Sequence, residues 1–143
     1  MSRLRRLLRL PAAERRLLVR AAVLLAAVRV ALVVLGWPVV RRLTARAARP
    51  VAGVADVPPA LLQQAVERAG RHVPGAACLA QAIALQILLG RRGRATDLRL
   101  GVAHGEGRRL EAHAWLEAEG RVLIGAAGRE RYTALPPFDG QTA

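Results

Sequence analysis

One cysteine and three histidines carry most of the reactive chemistry this sequence can offer. Cys78 is the single Cys in 143 residues, there is no Lys, and the only Ser is Ser2, beside the N-terminus. Elimination therefore leaves Cys78 as the strong nucleophile candidate, and the lack of Lys removes Schiff-base chemistry. A lone Cys is as a rule a small buried hydrophobe. The position of this one argues for more, because it follows Pro74-Gly75 and falls in the first turn of an apolar helical run. Unpaired backbone N–H groups and the helix dipole favour a thiolate at such a place, and the same N–H groups could stabilise an oxyanion.

The matching base is His113. It lies in an alternating segment where Glu111, His113, Trp115 and Glu117 share one face, while Ala112, Ala114 and Leu116 share the other. A strand behind a nucleophile-bearing helix is where a base has to come from. His72, in a break, and His104, beside a turn, are expected to be solvent-exposed. The three His and one Cys lack metal-ligand spacing, so neither a metal nor a cofactor is expected.

These side chains need a scaffold, and the period of the sequence outlines one. Pro11 before Ala12-Ala13-Glu14 opens a helix expected over residues 12–35. Gly36-Trp37-Pro38 breaks it, and a basic helix follows over residues 39–48. Residues 50–58 form a Gly- and Pro-containing connector. Pro58-Pro59 opens a helix to residue 71, with Leu61, Leu62, Ala65, Val66 and Ala69 at helical spacing. Residues 76–89 are apolar all round, which marks a central buried helix. After Gly93 the period changes to two. Leu98, Leu100 and Val102 alternate with polar or small residues, a turn falls at Gly105-Glu106-Gly107, and Glu119-Gly120 reads as a tight hairpin loop. The expected fold is α+β, with three antiparallel strands after the buried helix. The core is expected over residues 59–135, and residues 136–143 form a tail.

Charge is unevenly spread. Residues 1–49 hold 12 Arg against one acid, Glu14, whereas residues 50–143 hold 11 Arg against nine acids. Aromatics are 3% of the chain, too few for base-stacking platforms, so a nucleic-acid partner is not expected. The basic half is read as a face toward anionic lipid or an acidic partner, against the plainer reading of a solvated Arg face. Residues 21–40 are apolar enough to consider as a membrane span, but burying Arg29 in lipid costs at least ~2.5 kcal/mol. A peripheral or buried helix is the expectation. No signal peptide is expected, and one Cys suits a reducing cytosol.

The residues also support a resemblance. The run Cys78-Leu79-Ala80-Gln81-Ala82-Ile83-Ala84-Leu85, then Leu88-Leu89-Gly90-Arg91-Arg92-Gly93, Leu100-Gly101-Val102 and Ala112-His113-Ala114-Trp115-Leu116-Glu117 resembles the transglutaminase-like core of lasso-peptide leader peptidases. The similarity covers about residues 74–135, and the basic, Leu-rich start is similar too. The resemblance implies a cysteine peptidase that removes the leader from a ribosomally made precursor peptide. It implies two partners as well: a small winged-helix-like leader-recognition protein encoded separately, and an ATP-dependent cyclase that closes a lactam ring on the freed amine. Such enzymes generally carry an Asp on the return strand about a dozen residues after the His, and residues 122–128 contain no carboxylate. Glu111 is the substitute third member, roughly 7 Å from His113 between Cα atoms. A Cys–His dyad oriented by a backbone carbonyl is the preferred expectation. A transglutaminase-like acyl transferase with another acceptor and a non-catalytic basic adaptor remain the alternatives.

Overall fold

Proline and glycine set the helix boundaries in this chain. The computed structural model describes residues 3–75, 78–104, 107, 110–125 and 133–134. Helix α1 covers Arg3–Leu8 and α2 covers Ala12–Val34, with Pro11 as the N-cap residue of α2. Gly36 alone makes the break expected over three residues, because α3 already begins at Trp37 and runs Trp37–Ala47. Pro38 fits inside its first turn, where the missing N–H would have had no helical partner. Helix α4 covers Pro59–Gly70 behind Pro58, and α5 covers Cys78–Gly90.

The strands are β1, Asp97–His104; β2, Leu110–Ala118; β3, Arg121–Ile124; and β4, Thr133–Ala134. They pair antiparallel in the order β3-β2-β1-β4, so among the described residues the sheet has one strand more than the alternation predicts. Two residues are too few to show a period, and β4 is defined only by its pairing with Gly101 and Val102. The β2–β3 hairpin closes through Glu119 (φ 52°) and Gly120 (φ 75°). Positive φ at both central residues matches the twist of the two strands. The molecule is α+β, as its periods imply.

One apolar core joins the helices to the sheet. Ile83, Leu85 and Leu89 of α5 are closed off from solvent, along with Leu25 of α2, Leu62 and Val66 of α4, and Leu116 of β2. Helices α2 and α3 are therefore part of the core and not an appendage. The C-terminal end of α5 is held firmly. Gly90 sits against the Ala48 backbone carbonyl where a Cβ could not fit. Arg92 donates from Nε to the Ala55 carbonyl at 3.0 Å and from Nη1 to the Leu88 carbonyl at 2.9 Å, tying the connector to the helix end. Burial, then the nearby Arg20 and Arg91, push the Arg92 guanidinium below its usual range, and Asp56 opposes them. Arg92 remains a cation, since a guanidinium does not deprotonate in proteins.

Candidate active site

Cys78 is the first residue of α5 and is half-buried. Two glycines let the neighbouring helices close on this helix head. Gly75 lies against Arg29 of α2, so that a Cβ would fall 2.5 Å from its Nε. Gly70 lies against Gln81 of α5 in the same way, with a Cβ 2.5 Å from its Nε2.

His113 is carried by β2, the strand on which α5 packs most extensively. Its cross-strand neighbour on β1 is Gly101, which brings no side chain against the ring. Its Nε2 lies 2.7 Å from the carbonyl oxygen of Gly125. A carbonyl only accepts, so Nε2 carries the proton and donates it. In the neutral ring, Nδ1 is then the basic nitrogen.

Gly125 can make this bond for two reasons. Its φ of +83° is a region that side chains disfavour. A Cβ there would also lie 2.6 Å from the Ala114 carbonyl oxygen and 3.0 Å from Trp115 Cβ. The β2–β3 register shifts between Leu116 and Glu117, a bulge just before the chain reaches this close approach. Bulges of this kind re-aim the chain beside functional groups. Gly125 follows His113 by 12 residues, which is where the missing return-strand acid was sought.

The two faces of β2 differ in chemistry. Leu116, opposite Leu98 of β1, enters the helical core. His113 and Trp115 alternate with it and lie on the other face, stacked with ring centroids 6.1 Å apart and planes at 28°. Trp115 is nevertheless 3% exposed. Its Nε1 donates to Glu117 Oε1 at 2.8 Å, and Glu117 Oε2 lies 3.6 Å from Arg99 Nε on β1. An Arg99–Glu117–Trp115 row thereby fixes the indole against which the imidazole rests.

His72 and His104 are both exposed. Glu111 is placed by its backbone opposite Ala103, two residues before His113, and its side chain lies outside the described residues. Sequence reasoning missed Gly125, whose one visible signal is a glycine directly after a strand. Alternation places Glu117 on the same face as Trp115, but its bond to the indole rests on side-chain geometry that alternation does not give.

A family comparison matches residues 6–136 to the transglutaminase-like superfamily. The match begins within α1 and takes in the N-terminal helices as well as the Cys helix and the sheet. No curated protein and no solved structure shows a significant match to the chain. The superfamily suggests cysteine-protease or acyl-transfer chemistry, the kind that a half-buried thiol at a helix head and a strand imidazole of defined tautomer can perform. With nearly its whole length inside the match, the chain belongs to the transglutaminase-like superfamily.

Proposed function

We propose that this protein is a cysteine peptidase that removes the leader from a lasso-peptide precursor before macrolactam closure, with Cys78 as nucleophile and His113 as base. The reading is supported by the family match together with the His113–Gly125 hydrogen bond, which leaves Nδ1 as the ring nitrogen able to take a proton. Nδ1 takes the Cys78 thiol proton as the sulfur attacks the scissile carbonyl. The same proton passes to the leaving amine, which departs as the new N-terminus of the core peptide. Water then donates a proton to His113 and attacks the thioester, releasing the leader carboxylate and restoring the thiol.

A carbonyl in place of an acid changes the energetics in a definite way. It holds the tautomer, but it is neutral and offsets the imidazolium charge less than a carboxylate does. This is a dyad with an orienting carbonyl, in which Glu111 is not a required third member.

Leader capture belongs, on this reading, to a separate recognition protein, and the freed amine passes to an ATP-dependent cyclase. Support comes from the fold, since the described residues form one core of helices and sheet with no separate module among them for holding a leader. Incubating the purified chain with precursor and recognition protein, followed by mass spectrometry, tests the proposal. Wild type is expected to release leader and core with one added water, and Cys78→Ala to release neither. Cleavage by a folded Cys78→Ala protein removes the reading. A product joined to an added amine would instead assign the acyl-transferase activity.

A further inference from the structure

Helix α2 has a second apolar face that the core does not use. Val19, Val23, Val30, Val33 and Val34 are 45–71% exposed, and the gaps between them are filled by the exposed Ala26 and Ala27. Spacings of four, seven and four residues put Val19, Val23, Val30 and Val34 on one stripe, about 22 Å long at the helical rise. The only charged residue between positions 21 and 40 is Arg29, and its guanidinium is against Gly75 on another side of the helix.

From these observations we infer that α2 is a membrane-docking helix, lying in the surface of an anionic bilayer with the valine stripe down. Charge selects the occupant. Arg16 and Arg20 stand exposed at the N-terminal end of the stripe. Arg3, Arg5, Arg6 and Arg9 are exposed on α1 and just beyond it, beside the exposed Leu4 and Leu8. Glu14 is the only acid in the first 49 residues. An apolar stripe with clustered arginines at one end and almost no acid is the composition of a helix lying at an anionic interface.

By length and composition α2 could also cross a membrane. Its other face argues against that. Ala21, Leu25 and Val28 are packed into the core that α4 and α5 share, and a spanning helix would have to give up that face to lipid. The helix lies on the bilayer and does not cross it. Through Arg29 and Gly75 the docked helix also touches the turn that precedes Cys78, so the candidate active site sits close to the membrane. The docking stands or falls independently of the peptidase reading.

Vesicle flotation of the full chain tests it. Wild type is expected to float with mixed phosphatidylcholine–phosphatidylglycerol vesicles, with at least about tenfold weaker binding to phosphatidylcholine alone or in high salt. The double variant Val23→Asp/Val30→Asp changes two exposed positions, so its thermal melt should match wild type while flotation is lost. The milder pair Val33→Ser/Val34→Ser should fall between. Three results overturn the inference: no flotation of wild type, flotation of the Asp variant as strong as wild type, or membrane retention that only detergent reverses. A vesicle-free dimer abolished by the Asp pair, with flotation unchanged, would reassign the stripe to a second copy of the chain.

Discussion

Helices α2 and α5 are nearly alike in apolar content and opposite in what surrounds them. Every side of α5 meets another element: α2, α3 and α4 on the helical side, and β1, β2 and β3 on the sheet side. From Ala80 to Leu89 only Gln81 and Gln86 are not fully buried. Helix α2 meets α3, α4 and α5 along one face and leaves its valines to solvent along the other. A strongly apolar helix therefore announces that it avoids water, without saying what covers it. For α5 the cover is the rest of the chain. For α2 the outer valines are left exposed to solvent.

Substitutions along the two helices should separate them sharply. Leu85→Ala, at a fully buried position of α5, is expected to cost about 2–5 kcal/mol of stability in denaturant unfolding. Leu25→Ala, on the inner face of α2, should fall in the same range. Val23→Ala on the outer face should stay within about 0.5 kcal/mol, as surface changes do. An equal cost at Val23 and Leu85 would mean that the valine stripe is covered within the protein.

The sheet repeats the contrast between two faces of one element, and Gly125 is where it can be broken. Gly125→Ala faces both the positive φ and the contact with β2, and should cost about 1–3 kcal/mol. Precursor cleavage should fall further than that loss of stability explains, because the His113 anchor moves with the backbone. Normal activity with the expected loss of stability would detach the carbonyl from the mechanism. The smallest effect is expected at Glu111. Glu111→Gln should lower the cleavage rate by less than about tenfold, whereas an orienting acid contributes orders of magnitude. A larger fall in a folded variant would restore Glu111 as a third catalytic group.

How far the sequence reads ahead of the structure follows from the range of each signal. Helices α2 to α5, the hairpin at Glu119-Gly120 and strands β1 to β3 come from local periods and turn chemistry and stand within a few residues of expectation, whereas the short helix α1 was not expected. Strand β4 has no local signal, since two residues join the sheet only through register with Gly101 and Val102. The helix-head position of Cys78 was legible from Pro74-Gly75 and the apolar run. That the acceptor for His113 is a backbone carbonyl was legible from a return strand without an acid, but which carbonyl was not, because a carbonyl leaves no mark on residue type. Trp115 shows the same limit. Alternation put it correctly beside His113, while its burial and its bond to Glu117 depend on cross-strand neighbours.

The central claim is that Cys78 and His113 act as a pair, and alkylation of the thiol measures this most directly. The rate of iodoacetamide modification of Cys78 should be followed against pH in wild type and in His113→Ala, with His104→Ala as the control on an exposed histidine. The account predicts fast modification of wild type at neutral pH, a fall of at least about tenfold in His113→Ala, and no change in His104→Ala. A thiol that reacts at the same slow rate in all three proteins would contradict it.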